Sequence, residues 1–321
     1  MKTLGYSLLA ILLRIVFFLA NCLPERATFT LSEKLGSLFM FSSRRYTRRI
    51  SKNLQVAFGP SYGNRQIQDL TAKVARNLGL IFAETLLSGT TRRGTILDSI
   101  SIQGAENLDY ALSCGKGVMA VSAHLGNFSL IGAKMLRTGY PFTMLVKESK
   151  YPGIARVSRE IQKKQGGQFI YIDPWSKALR QIMSSLRNNE IVCLLADENK
   201  KDSETVVDFF GHPAPTAEGP AVLSLRTGAL VVPLFIVRHA DLSHTIFIEP
   251  HLNPVLTGNR AEDILTITTA YTKVIEHYVR KYPDQWFWVN RRWKKRKIKK
   301  RESTGGVTKS TVKAGEFHTP R

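Results

Sequence analysis

Between residues 117 and 250, short runs that are apolar almost from end to end alternate with stretches whose apolar residues recur at helical spacing. The runs are "GVMAVSA" (117–123), "FTMLVK" (142–147), "QFIYI" (168–172), "IVCLLAD" (191–197), "LVVPLFIVR" (230–238) and "HTIFIEP" (244–250). Helices are predicted over 128–138, 151–164, 175–188 and 219–228, and a long one over 261–281. A strand that is apolar on both sides must be covered on both faces, and alternation with helices is how a parallel sheet achieves this. The expectation is an α/β fold with a central, mostly parallel sheet covered by helices. Residues 25–105 read as mainly helical and pack against this unit; no repeat is visible, and no linker before residue 300.

Charge narrows the choice of partners. The 321 residues carry a formal net charge of +21, a balance that points to nucleic acid, an anionic membrane surface, or an acidic substrate or carrier. Residues 291–321 hold 12 Lys/Arg against Glu302 and Glu316, and "RRWKKRKIKKR" (291–301) sets nine cations around one Trp. The last residues read as a solvated, disordered tail, and the run before them as a device that holds the body on anionic lipid. Cys22, Cys114 and Cys193 show neither metal-ligand nor disulfide spacing and read as small hydrophobes.

The most apolar segment is "LGYSLLAILLRIVFFLANCL" (4–23), long enough to span a bilayer but interrupted by Arg14. A charge at a helix centre costs about 2.5–3.5 kcal/mol. A secretory signal is the rival reading, disfavoured by the interior Arg and the lack of a small-residue cleavage site. An uncleaved membrane-associated helix, spanning or lying in the interface, is expected. Arg44, Arg45, Arg48, Arg49 and Lys52 follow it, which by the positive-inside rule places the body on the cytoplasmic face.

Two loops at strand ends, where α/β folds build their sites, carry candidate chemistry. In "AHLGNFSL" (123–130), His124 ends an apolar strand and Gly126-Asn127 follow. The glycine admits close backbone approach, the helix start offers N–H groups, and a histidine so placed can deprotonate a hydroxyl. A strand-end histidine bonded to backbone is the bland alternative. The second loop leaves Asp197 and runs through Phe209-Phe210-Gly211 to Thr216 and Gly219-Pro220, which read as a stiff, partly apolar surface and a helix start. Near the end, Trp286-Phe287-Trp288 and Arg291-Arg292-Trp293 form an aromatic and basic girdle, suited to single-stranded nucleic acid or to a membrane interface. No P-loop, Rossmann fingerprint, Gly-x-Ser-x-Gly or metal-ligand cluster occurs.

Taken in order, the N-terminal apolar helix, "NLQVAFG" (53–59), "GKGVMAVSAHLGNFSL", "FFGHPAPTAEGPAVLSLRTGALVVPLFIVR" and "YPDQWFWVNRRWK" resemble the bacterial lipid A biosynthesis acyltransferases, the lauroyl and myristoyl transferases of the lysophospholipid acyltransferase superfamily. The resemblance covers about residues 5–295. It implies a glycerolipid acyltransferase-like fold with a membrane anchor at 1–23, an acyltransferase domain at 24–295 and a basic tail at 296–321. It also implies transfer of a fatty acyl group from acyl carrier protein, or acyl-coenzyme A, to a hydroxyl of a lipid A-type acceptor at the bacterial inner membrane. No metal or bound cofactor is implied, and no nucleic acid is expected as a partner.

Position by position, His124 falls on the base of the family's His-x4-Asp/Glu motif, with Gly126 and Asn127 in the same loop. Asp197, Thr216 and Gly219 fall in later motifs that shape the substrate site, and a basic residue in 156–164, Arg159, is expected to face the acceptor's phosphate. The departure is Ser129, which stands where the motif has its carboxylate. That acid would orient the imidazole and stabilise its charged form. Three outcomes follow: Ser129 accepts a weak hydrogen bond from the ring; Glu148 or Asp197 replaces the missing acid; or the chain is an impaired or inactive lipid-binding member.

Overall fold

The computed structural model describes residues 15, 18, 22–59, 61–90, 93–199 and 205–293. Ten helices and nine strands are labelled in chain order. The described residues before the sheet form four helices from Glu25 on: α1 (Glu25–Ser42), α2 (Arg44–Phe58), α3 (Asn64–Ser88) and α4 (Arg93–Asp98). The sheet region follows as β1 (Ile100–Gln103), α5 (Ala105–Ser113), β2 (Val118–Ser122), α6 (Ile131–Arg137), β3 (Phe142–Val146), α7 (Pro152–Gln165), β4 (Gln168–Tyr171), α8 (Trp175–Arg187) and β5 (Ile191–Leu195). The chain then forms the hairpin β6 (Val206–Phe209) and β7 (His212–Pro215), α9 (Gly219–Thr227), β8 (Leu230–Arg238), β9 (His244–Ile248) and α10 (Arg260–Lys281).

Seven strands form one sheet in the order β1-β9-β8-β2-β5-β3-β4. All neighbours are parallel except β8 and β9. Successive side chains of a strand point to opposite faces, so a run apolar throughout must feed two cores, and this one does. Met119 and Val121 of β2 join Leu54, Ile182, Ile267 and Ile275 on one face; Val118 and Ala120 join Leu87, Leu108, Ile131 and Met135 on the other. The predicted strands all form. Missed in the sequence are β1, α5 and the β6–β7 hairpin, and the predicted helix at 128–138 opens as a 3₁₀ turn, Phe128–Leu130.

The expected membrane helix lies almost wholly outside the described residues. Within 4–23, Ile15, Phe18 and Cys22 are helical and exposed. Among the described residues no helix is long and apolar enough to cross a membrane. The tail from residue 294 also lies outside them.

Half of the aromatic and basic girdle turns inward, while Arg291 is exposed and Phe287 and Trp293 are half-buried. Trp286 and Trp288 are wholly buried, and Arg292 is 1% exposed. The two indoles meet edge to face with centroids 4.6 Å apart, and Phe58, Phe209 and Phe210 pack around them. Such pairs each add about 0.5–1.5 kcal/mol beyond their area. Phe209 and Phe210, expected to offer an apolar surface, are likewise buried. Asn53 explains the motif in which it stands: its amide donates to the Trp288 and Asn290 carbonyls, both at 2.7 Å, tying α2 to the C-terminal segment.

Helices α1 and α3 cross at two glycines. A Cβ on Gly79 would overlap the Ser32 carbonyl oxygen, whereas one on Gly219 would meet only a Leu194 methyl at 3.8 Å. Gly79→Ala is therefore expected to cost about 1–3 kcal/mol in chemical denaturation, with Gly219→Ala near neutral.

Candidate active site

The parallel register of β2 on β5 assembles the site. Val118 faces Ile191 and each next residue faces the next, up to Ser122 opposite Leu195. Two residues beyond, at the same offset of 73, His124 stands opposite Asp197. β2 is the fourth of the seven strands, so the pair emerges at the carboxyl edge of the sheet, near its centre, where open α/β folds place their ligand crevices.

Asp197 is fully buried and accepts three hydrogen bonds. His124 Nδ1 lies 2.8 Å from Oδ1, while the His124 backbone N–H, at 3.0 Å, and Trp286 Nε1, at 2.7 Å, donate to Oδ2. Burial pushes the Asp197 pKa up, but the His124 charge and these donors outweigh it and hold it below the ordinary value. An ionised carboxylate only accepts, so Nδ1 carries the ring proton. Nε2 is left as the atom that can take one, with Glu198 Oε1 3.8 Å away. Burial lowers the His124 pKa, yet Asp197, through charge and hydrogen bond, and then Glu198 raise it overall. The ring, 18% exposed, is flanked by Phe128 at 4.8 Å and Phe287 at 6.1 Å between centroids.

The rest of the loop is held by the C-terminal segment. Leu125 bridges to Trp286, Gly126 N–H donates to Gln285 O at 3.0 Å, and Phe287 N–H to His124 O at 2.9 Å. Gly126 has φ +54, and a Cβ there would overlap the Ile236 carbonyl oxygen. Its use is thus backbone geometry. Asn127, wholly buried, donates to Glu84 Oε2 at 3.1 Å.

Ser129 points away from the histidine. Its hydroxyl donates to Asn127 Oδ1 at 2.6 Å and lies 3.4 Å from Thr85 Oγ1. Of the replacements weighed for the missing acid, Asp197 reaches His124, whereas Glu148 is engaged by Arg159 in a two-pronged ion pair. Arg159 also lies over the Tyr171 ring, and it lines a cleft of about 480 Å³ with Lys150, Arg156 and Lys163. Thr216 is buried, donating to Ala214 O and accepting from Arg292 Nη2 at 2.6 Å, and Gly219 begins α9. The structure brings His124, Gly126, Asn127 and Asp197 together; it sets Arg159 at the neighbouring cleft and Thr216 under Arg292.

Trp286 was missed as a site residue. Its signal, an indole in an aromatic triplet, is the same signal that suggested an interface. Among the described residues no group of three His, Cys, Asp or Glu side chains could hold a metal ion.

A base that acts as neutral imidazole loses activity as pH falls through its pKa, so the acid limb of kcat/KM, which reports the free protein, should lie above about 6.5. Asp197→Asn removes the charge that offsets burial; the limb should move down and kcat fall by about 10²–10⁴, read from a pH–rate profile. Stability follows the same pair: the His124 contribution is lost as pH rises through its raised pKa, that of Asp197 as pH falls through its lowered one. Trp286→Phe, which keeps the ring packing but removes the donor, should lower kcat by about 10- to 100-fold, a hydrogen bond to charge being worth about 1.5–3 kcal/mol.

Comparison with known proteins agrees in extent with this fold. Residues 2–295 match the family described as bacterial lipid A biosynthesis acyltransferase. The chain is 24% identical over 280 residues to the lipid A biosynthesis palmitoleoyltransferase of Escherichia coli, covering 86% of this chain and 88% of that protein. It is 22% identical over 285 residues to the lipid A biosynthesis lauroyltransferase of Escherichia coli, covering 88% and 90%. Over a shorter region of 133 residues it is 29% identical to the phosphatidylinositol mannoside acyltransferase of Mycobacterium tuberculosis, covering 41% and 42%.

Proposed function

The chain belongs to the bacterial lipid A biosynthesis acyltransferase family, and from that premise we propose that it transfers a fatty acyl group from a thioester donor to a hydroxyl of a lipid A-type glycolipid, with His124 as general base. The observation that carries this reading is the His124–Asp197 pair at the mouth of the sheet. His124 Nε2 takes the proton of the acceptor hydroxyl as its oxygen attacks the thioester carbonyl carbon. The tetrahedral intermediate collapses with loss of the thiolate, and the imidazolium returns the proton to that sulfur. Asp197 stabilises the charged ring between the two transfers. Acyl carrier protein or acyl-coenzyme A supplies the thioester.

The alternative of an impaired or inactive lipid-binding member follows from Ser129 at the motif's carboxylate position; an acid at another position, Asp197, 2.8 Å from the His124 ring, supports the active reading over it. The cleft beside α7 supports an anionic acceptor. β3 pairs with β5 in parallel register, so at a strand spacing of about 4.8 Å the cleft begins within two strands of His124. Lys150, Arg156 and Lys163 present an excess of positive charge there over Glu160, with Arg159 paired to Glu148.

A membrane surface on the cytoplasmic side of the bacterial inner membrane fits the N-terminal region. Leu31, Leu35 and Leu38 of α1 are exposed at helical spacing, as are Ile15 and Phe18 before it. Arg44, Arg45, Arg48 and Lys52 of the following helix, α2, are also exposed, a charge suited to anionic headgroups.

The test is acyl transfer by the full chain in detergent, from labelled acyl carrier protein and acyl-coenzyme A, to lipid A precursors and lysolipids. Wild type is expected to turn over, and His124→Ala to lose about 10²–10⁴ of the rate. Ser129→Glu should give no gain, because a carboxylate cannot replace the hydroxyl that donates to Asn127 Oδ1. Equal rates for wild type and His124→Ala, or a faster Ser129→Glu, would contradict the reading.

A further inference from the structure

We propose that Glu84 and Arg238 are positioning residues for the His124 loop, acting through Asn127 and Gln285; the inference rests on the acyltransferase reading and gives a role to two residues to which no motif assigned one. Glu84 lies on α3, 40 residues upstream of the loop, and is 1% exposed. Arg238 ends β8, the neighbour of β2, and its guanidinium engages both Glu84 oxygens, with Nη2 3.0 Å from Oε2. Its Nη1 is bonded to Asn77 Oδ1.

From this ion pair two routes reach consecutive residues of the loop. Along the first, Glu84 Oε2 accepts the Asn127 amide at 3.1 Å. Along the second, the Arg238 backbone N–H donates to Gln285 Oε1 at 2.9 Å and its carbonyl accepts from Gln285 Nε2 at 2.7 Å, while Gln285 O accepts Gly126 N–H. The ring closes as Gly126–Gln285–Arg238–Glu84–Asn127. Ser129 completes it, since its hydroxyl turns the Asn127 oxygen inward and leaves the amide NH₂ to face the carboxylate.

Each link is buried, so each group would be costly to leave unpaired. Burial alone would raise the Glu84 pKa, but His244 and Arg238 together lower it, which keeps the carboxylate an acceptor for Asn127. The geometry also explains why a serine serves at position 129: a carboxylate there could not donate to the Asn127 oxygen. A displacement of about 1 Å at a catalytic group costs on the order of a hundredfold in rate, so fastening two successive residues beyond His124 bears directly on turnover.

The experiment compares Glu84→Leu, Glu84→Gln and Asn127→Ala in the full chain. Two readouts are taken: kcat and KM for acyl transfer, and hydrogen exchange at Gly126 and Leu130, with the amides of β3, outside the network, as the folding control. Glu84→Leu and Asn127→Ala should each speed exchange at the loop by about tenfold or more and lower kcat by a similar or greater factor, with KM and β3 unchanged. Glu84→Gln, which keeps an acceptor for Asn127, should fall between these and wild type. If Glu84→Leu does not fold, Asn127→Ala, which leaves the ion pair intact, decides. Native loop protection in Asn127→Ala overturns the proposal, whatever happens to kcat. Wild type without transfer activity would sink the acyltransferase reading instead, and the exchange data would still show whether the link to Glu84 holds the loop.

Discussion

The parallel pairing of β2 with β5 is the constraint on which the site depends. Because strand register fixes every opposed pair along the two strands, setting Ser122 against Leu195 also sets His124 against Asp197. A slip of one residue would turn the histidine to the other face and strand a carboxylate in the core. Two cores prevent it, since alternate residues of β2 are committed to opposite faces of the sheet. Apolar packing thereby secures a polar contact with which it shares no atoms.

The second constraint is the closure of the chain on itself. Segments far apart in sequence meet over the loop: α2 binds the C-terminal segment through Asn53 and Arg49, and that segment binds the loop through Gln285, Trp286 and Phe287. Arg292 reaches across to Pro215 and Thr216, its guanidinium 4.9 Å from the Phe209 ring. Burial pushes its pKa down to about 10, which leaves it charged at neutral pH beside the buried Asp197. The motifs that bracket the chain are therefore parts of one clamp around a carboxylate and an imidazole.

Much of this was legible in the sequence, and the failures have physical causes. Strands buried on both faces announce themselves by composition, so β2, β5 and β8 were read correctly. β1 is four residues long with two of them polar, and β7 carries two prolines, which argue against a strand except at an edge. His124, Gly126 and Asn127 stand out because a reactive group at a strand end is a local pattern. A motif singles out Asp197, yet its contact with His124 depends on the register, and as a stand-in for the missing acid nothing local sets it apart from Glu148. Trp286, Glu84 and Arg238 were out of reach for the same reason. An indole or an arginine reads as surface until a buried acceptor is known to lie opposite it.

The central claim is that Asp197, and not the residue at position 129, holds the His124 ring with its proton on Nδ1. It is tested most directly by nitrogen-15 NMR of the full chain labelled at histidine, above the His124 pKa. The account predicts a low-field Nδ1 proton for His124 that is lost in Asp197→Asn and kept in Ser129→Ala. A resonance that survives Asp197→Asn, or one that disappears in Ser129→Ala, would contradict it.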